Sequence, residues 1–313
     1  MVGPFNQEMQ GAIRGNLPDQ FELEYVTSKA DYSRLAGADY IIIRTLTMTA
    51  EDIALLNNCK LIQRWGVGYD SIDIEAAAKK NIPVAVCFGI NATPVAEMAL
   101  ALTLAVLRNV VPLTVGINEG LYERETYSKT SWTINNKTVG VVGAGNIGKK
   151  AAALYKAFGA TVLYYDAYRL TEQAETELGL VYAGLDDLLG SCDIVSLHVP
   201  LMDTTEKMIN SRSIAKMKDG AVLINTAREE LIDYEALKDA LASGKLRGAG
   251  LDAIEESSVA SLAVRGLKNA VLTAHVGGNT SDNVEYSARR CAEQIIAVSK
   301  GEKLAFPHVV NGV

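Results

Sequence analysis

The chain has 313 residues, of which 49% are hydrophobic and 21% charged, and a formal net charge of −7. That length suits two domains, and that composition suits a globular protein with a large core. The negative balance, without any basic run, argues against a nucleic-acid-binding function.

The opening MVGPFNQEMQ has neither the basic segment nor the apolar stretch of a secretion signal. A first strand is expected before the loop GPFN, yet only Met1 and Val2 precede it. FELEYV (21–26), ADYIII (38–43), KLIQRW (60–65) and NIPVAV (81–86) then predict strands, with helices over TAEDIALLNN (49–58) and IDIEAAAKK (72–80). Thr49 and Asp52 form a plausible N-cap pair. This βαβ alternation predicts a parallel sheet.

One long apolar helix is expected over 93–111, where Glu97 and Arg108 leave only ten uncharged residues between them. That is too short to cross a bilayer, so a buried helix at a subunit or domain interface is the better reading and no membrane partner is expected. The polar segment 118–137 reads as a surface connection. A second alternating series starts at Thr138, with strands TVGVVG (138–143), ATVLYYD (160–166), DIVSLHV (193–199), GAVLINT (220–226), GAGLDA (248–253) and NAVLTA (269–274). Its helices include 146–158, closed by Gly159, and 234–244, closed by Gly244. An amphipathic helix over 282–300 leads to a tail, GEKLAFPHVV, that can return to the first domain. The four cysteines, Cys59, Cys87, Cys192 and Cys291, include no CxxC pair. They read as buried thiols of a reducing, cytoplasmic compartment, not as a metal site.

The strongest chemical signal is TVGVVGAGNIGKK. Gly143, Gly145 and Gly148 form G-x-G-x-x-G between a strand and a helix. The first glycine permits a tight turn, the second a close approach to a pyrophosphate, and the third close helix–strand packing. The helix start at Asn146 and Ile147 offers free N–H groups to the anion. Asp166 ends the next strand 23 residues after Gly143, where ribose hydroxyls of NAD require an acid. Arg169 nearby leaves some use of NADP open.

Three later strand ends carry Arg228, Asp252 and His275. Singly, each has an ordinary reading: a surface ion-pair partner, a loop acid, a hydrogen-bonded loop residue. Together they suit one reaction. Arg228 can grip a carboxylate through two parallel hydrogen bonds, and His275 can exchange a proton with a hydroxyl near neutral pH. Beside a nicotinamide, this set would interconvert a 2-hydroxy acid and a 2-keto acid. His198 also ends a strand but has no charged neighbour, and packing near the cofactor's adenine half is expected of it.

At this point the chain resembles the D-isomer-specific 2-hydroxyacid dehydrogenases, through RWGVGYDSID (64–73), NATPVAEMAL (91–100), KTVGVVGAGNIG (137–148), SLHVPLMDTTEKMIN (196–210), LINTAREELID (223–233), GAGLDA (248–253) and TAHVGGNT (273–280). The resemblance implies an α/β fold of two Rossmann-like domains with parallel sheets flanked by helices. Residues 1–92 and 282–313 would form a flavodoxin-like substrate domain around a doubly wound NAD-binding domain over 93–281, dimerising through the latter. It implies that Arg228 holds the substrate carboxylate, His275 is the acid/base, and Asp252 lies near the nicotinamide amide. Val67 and Gly68 would be backbone donors to the substrate, while His198, Pro200, Thr205, Thr226, Ala227, Gly277 and Gly278 would line the cofactor. IIIRTLTMT (41–49) is similar to a segment of phosphoglycerate dehydrogenases and makes Arg44 a candidate for a phosphate; a solvated strand-end arginine is the equal alternative. Glyoxylate and hydroxypyruvate reductases remain open, as does a role of another class, the NAD-sensing corepressors of the same family. No C-terminal regulatory domain is expected.

The chain departs from the family in GLDAIEESSV (250–259). The family places its catalytic glutamate five residues after the aspartate that matches Asp252, where this chain has Ser257. Glu256, one residue earlier, is the candidate for that role, and Glu255 reads as a solvated loop residue.

Overall fold

The computed structural model describes residues 1–255 and 258–313. The chain divides into two units, Met1–Asn91 with Asn279–Val313, and Ala92–Gly278.

The first unit opens with α1 (Gln7–Asn16), capped by the Asn6 side chain, which accepts from Met9 N–H. Strands β1 (Tyr40–Ile43), β2 (Leu61–Arg64) and β3 (Val84–Ala85) form a parallel sheet in that order. Helices α2 (Ala50–Ala54) and α3 (Ile74–Lys79) connect them. The Thr49–Asp52 capping box at α2 forms as the sequence predicts. FELEYV does not become a strand. Its burial alternates, but its neighbour contributes only Val2, which bridges Val26 on one side and Ile43 on the other. With no ladder to join, the segment stays extended.

In the second unit, α4 (Ala92–Leu107) and α5 (Val110–Asn118) replace the single expected helix. The two are bent by 60°, and no single helix among the described residues is long and apolar enough to cross a membrane. The break has a local cause. Asn109 adopts the left-handed conformation with φ of 52°, which asparagine tolerates better than most residues. Its side chain donates to Thr130 and Ser131, and the Leu107 carbonyl accepts from Trp132 N–H at 2.9 Å. A short helix α6 (Arg124–Ser128) interrupts the polar connection.

Strand β4 (Thr138–Val142) begins the main sheet, followed by α7 (Asn146–Ala157), β5 (Thr161–Tyr165), α8 (Glu172–Leu178), β6 (Val181–Tyr182), α9 (Leu185–Ser191), β7 (Ile194–Leu197), α10 (Ser211–Lys216), β8 (Ala221–Asn225), α11 (Tyr234–Ser243), β9 (Leu246–Leu251) and β10 (Ala270–Leu272). The two-residue β6 has too little pattern to be read from sequence. The sheet is parallel throughout, in the order β10-β9-β8-β7-β4-β5-β6. The chain therefore winds outward from β4 and then restarts at β7, which places a topological switch between β4 and β7. Ligands of such sheets bind outside the carboxyl ends of the strands at this point. Strands β7 and β8 are buried along their whole length, as expected for a sheet covered on both faces. Helix α4 lies close on β9 because Gly250 has no side chain; a Cβ there would stand 2.8 Å from Leu102 Cβ.

The last helix, α12 (Ser281–Ser299), belongs to the first unit and packs Ala288, Cys291, Ala292 and Ile295 into the core that holds Ile13 and Leu17. The tail then runs back along β3: Val86 N–H donates to the His308 carbonyl at 2.9 Å, and Val309 bridges Ala85. Cys87, Cys192 and Cys291 are buried thiols and Cys59 is partly buried. No cluster of potential metal ligands occurs among the described residues.

Candidate active site

The dinucleotide loop leaves β4 at the switch point. Gly143 has φ of +100°, and a Cβ there would lie 2.6 Å from the His198 carbonyl oxygen, so the loop and the end of β7 touch backbone to backbone. At Gly148 a Cβ would fall 1.8 Å from the Gly143 oxygen, which excludes any side chain. Gly145 differs, because nothing lies within 4 Å of the position its Cβ would take. No side chain caps α7. Its first N–H groups, at Asn146 and Ile147, lie beside the open position at Gly145 and can receive an anion.

Asp166 closes the loop from the neighbouring strand. One carboxylate oxygen accepts from Ala144 N–H at 2.7 Å, the other from Tyr168 N–H at 2.9 Å. Each oxygen keeps a lone pair for a ribose hydroxyl. Arg169 is engaged elsewhere, forked onto Glu175 by bonds of 2.8 and 3.0 Å. That pairing favours NAD over recognition of a 2′-phosphate. The His198 ring bonds Ser196 Oγ at 2.9 Å, and burial pushes its pKa down to about 4, so it is neutral. Thr205 Oγ1 donates to the Pro200 carbonyl at 2.7 Å and fixes the loop that follows. The residues present fit NAD: an uncapped helix end, an open position at Gly145, an acid for the ribose, and a buried Thr226 hydroxyl without a hydrogen-bond partner.

The residues expected to react emerge from three adjacent strands at the same edge. Beyond β8, the buried Asn225 side chain shapes the turn. It donates to the Arg228 carbonyl at 2.7 Å and accepts from Ala227 N–H at 3.0 Å. Arg228 Nη1 donates to the Ala227 carbonyl at 2.7 Å. Asn225 was not among the expected site residues, although a polar residue completing an apolar strand was the available signal.

Asp252 follows β9 and is 1% exposed. Its Oδ1 accepts from Thr273 Oγ1 at 2.6 Å and Val276 N–H at 3.0 Å, and its Oδ2 accepts from Gly277 N–H at 2.7 Å. Its carbonyl also accepts from His275 N–H at 2.6 Å. The Ala253–Ala274 bridge adds a further tie. Asp252 thus knots the loop after β9 to the loop after β10, and this knot carries His275. The His275 backbone has φ of +51°, a region costly for a residue with a Cβ and typical of functional positions.

His275 Nδ1 bonds Glu255 Oε1 at 2.5 Å, with both side chains partly exposed. This corrects the reading of Glu255 as a merely solvated residue. Glu256, the expected partner, and Ser257 lie outside the described residues. A count along the chain puts the family's position at Ser257 and leaves Glu256 to a shortened, re-bent loop. Here Ile254 turns inward, 8% exposed, with its N–H on the Asp252 carbonyl at 2.7 Å, and Glu255 emerges beside the imidazole. Glu229, also unforeseen, stands near this pair. Burial raises its pKa, with repulsion from Glu230 and Glu255 adding to the effect.

The remaining expected residues belong to the first unit. Arg44 follows β1, and its Nη1 donates to the Pro4 carbonyl at 2.7 Å. Val67 and Gly68 follow β2, just after Gly66, whose φ is +126°.

Comparison with known proteins identifies the family. The family described as D-isomer specific 2-hydroxyacid dehydrogenase, NAD binding domain, matches residues 100–277. The chain is 40% identical over 248 residues to hydroxypyruvate reductase of Thermotoga maritima, covering 78% of this chain and 79% of that protein. It is 38% identical to glyoxylate reductase of Thermococcus litoralis over 85% of this chain and 82% of the relative. D-3-phosphoglycerate dehydrogenase of Mycobacterium leprae is 35% identical over 94% of this chain but only 56% of its own length. Among solved structures, D-lactate dehydrogenase from Aquifex aeolicus, complexed with NAD and lactic acid, superposes with a TM-score of 0.88 at 29% identity, covering 100% of this chain and 99% of that one. Sequence, fold and site converge: the chain belongs to the D-isomer specific 2-hydroxyacid dehydrogenases, NAD-dependent oxidoreductases that act on the CH–OH group of a 2-hydroxy acid.

Proposed function

We propose that this chain is a cytoplasmic, homodimeric reductase of a small 2-keto acid of the glyoxylate or hydroxypyruvate kind, with Arg228, His275 and Glu255 as its reacting set. The observation that carries the reading is the 2.5 Å bond between His275 Nδ1 and Glu255, mounted on the Asp252 knot. With Nδ1 taken by Glu255, the other ring nitrogen, Nε2, is the one that exchanges a proton with the substrate oxygen. Glu255 orients the ring through that bond. Arg228 holds the substrate carboxylate by two parallel bonds. Bound nicotinamide supplies or accepts the hydride.

One consideration favours a small substrate: the relatives named hydroxypyruvate reductase and glyoxylate reductase match over most of their own length. Arg44, the residue offered for a phosphate, gives one donor to the Pro4 carbonyl and keeps others. Val67 and Gly68 remain the backbone donors proposed for the substrate. The homodimer rests on α5, which leaves Val110, Val111, Val115 and Ile117 exposed. Contiguous apolar exposure of this kind marks an interaction surface. The net charge of −7 gives no support to a nucleic-acid partner.

NADH oxidation against glyoxylate, hydroxypyruvate and phosphohydroxypyruvate tests the reading. Turnover of the first two is expected, with Arg228→Gln raising KM about 100-fold. Preference for the phosphorylated acid would overturn the substrate assignment. Tight NADH binding with no turnover would favour the NAD-sensing role instead.

A further inference from the structure

The amino-terminal edge of the seven-stranded sheet, opposite the cofactor loops, carries a basic pocket built around Trp132. Lys137 directly precedes β4, and Arg247 is the second residue of β9. In a parallel sheet both therefore lie at the strand starts, away from Gly143, Asp166, Asp252 and His275 at the strand ends. The Lys137 ammonium lies 4.4 Å from the Trp132 ring centroid, and the Arg247 guanidinium carbon lies 3.6 Å from it. An indole face attracts such cations and holds them in place.

Among the described residues these charges have no close counter-charge: no carboxylate lies within ion-pair distance of Arg108, Lys137 or Arg247; Asp193, which acts on Lys137 only at longer range, is bonded by Lys218 at 3.0 Å and by Thr138 N–H at 2.9 Å. Arg247 gives Nη1 to the Thr130 carbonyl at 2.7 Å, yet its Nε is buried with no hydrogen-bond partner. Burial lowers the Arg247 pKa, as expected for a cation withdrawn from water without a counter-charge. All this occurs in a chain whose net charge is −7.

Arg108 and Lys137 border an open pocket of about 440 Å³ lined also by Ser131, Trp132 and Thr133; Arg247, stacked on the same indole, does not line it. Its rim is fixed by the α4–α5 break, where Trp132 N–H reaches the Leu107 carbonyl and Asn109 bonds Ser131 Oγ at 3.1 Å. Two cations and the Thr133 hydroxyl line one space, a donor set that suits an anion with several acceptor oxygens; the Ser131 hydroxyl is spent on the Tyr127 carbonyl at 2.8 Å and serves to fix the rim.

We propose that the Arg108–Trp132–Lys137 pocket is a binding site for a small phosphate-bearing anion, separate from the cofactor site. The chain contains two tryptophans. A Trp65→Phe background therefore leaves Trp132 as the only indole reporter. The whole chain would be titrated with inorganic phosphate, glycerol 2-phosphate and citrate, with chloride holding ionic strength constant. A saturable change in Trp132 emission is expected with the two phosphates, tighter for the ester if a phosphorylated metabolite is the ligand and equal if the free ion is. Lys137→Gln and Arg108→Gln should each raise the half-saturating concentration at least about tenfold while leaving NADH affinity unchanged. Calorimetric titration of the unsubstituted chain should give the same affinity, so a damaged background cannot decide the result. No saturation, a response shared with chloride, stronger binding of citrate, or binding that survives both substitutions would overturn the proposal.

Discussion

Asp252→Asn is the sharpest test of how the reacting residues are held. The native carboxylate is 1% exposed and accepts three bonds, from Thr273 Oγ1, Val276 N–H and Gly277 N–H. Asparagine has the same shape but only one acceptor oxygen. If that oxygen keeps Thr273 and Val276, the amide NH₂ faces the Gly277 N–H, donor against donor. One charge-assisted bond is lost outright and two are weakened from charged to neutral. Bonds to charged groups contribute roughly 1.5–3 kcal/mol each and neutral ones about 1, so the expected loss is about 3 kcal/mol. For a unit of this size that corresponds to a Tm lower by about 6–12 °C. Room to relax is small, because a Cβ at Gly277 would already sit 2.7 Å from Asp252 Oδ2. Calorimetric unfolding gives the stability change, and hydrogen exchange at the Gly277 amide locates it. Turnover should fall as well, since His275 hangs on the same knot. A variant that unfolds within about 1 °C of the parent and protects Gly277 equally would refute the reasoning.

Further outcomes follow from the same geometry. Glu255→Gln should lower kcat/KM for keto-acid reduction about 100-fold, the usual scale for an acid/base partner; if Glu256→Gln carries that loss and Glu255→Gln does not, the assignment of Glu255 is wrong. Gly145→Ala should fold normally, because nothing lies within 4 Å of the new methyl, yet weaken NADH binding about tenfold or more by occupying the approach of the pyrophosphate; unaltered affinity would place the cofactor elsewhere. His198 is held near pKa 4 against 6.5 in the unfolded chain. The unfolded state thus takes up a proton first, so stability is full above pH 6.5 and declines as pH falls toward 4. Urea midpoints at pH 7.5 and pH 5 should show this decline, and His198→Gln should reduce it; an equal decline in both proteins would remove His198 as the cause.

Much of the molecule was legible because its signals are local. Strand β8 is a run of apolar residues bounded by Gly220 and Thr226, and α7 follows its glycine loop directly, so period, breakers and motif coincide. Asp166 could be found because only one helix and one strand separate it from the loop it serves. The failures have equally local causes. FELEYV carries strand alternation but no ladder to join. The α4–α5 break depends on Trp132 taking the Leu107 carbonyl, a partner more than twenty residues away in sequence. The two-residue β6 is shorter than any period can register.

The amino-acid sequence alone determined the parallel α/β class, the dinucleotide loop with its acid, and the residue types that grip a carboxylate and move a proton. These depend on side-chain period, on glycine's missing Cβ and on the chemistry of single residues, none of which needs a partner from elsewhere in the chain. Tertiary structure brought an acid to the histidine that the sequence did not single out. Spacing put the family's position at Ser257 and left Glu256 as the candidate, both outside the described residues, whereas Glu255 bonds His275 because Asp252 ties two loops together and Ile254 turns inward, setting the direction in which the next side chain leaves. A loop's length fixes how far a residue can reach; only the contacts at both of its ends fix where it points.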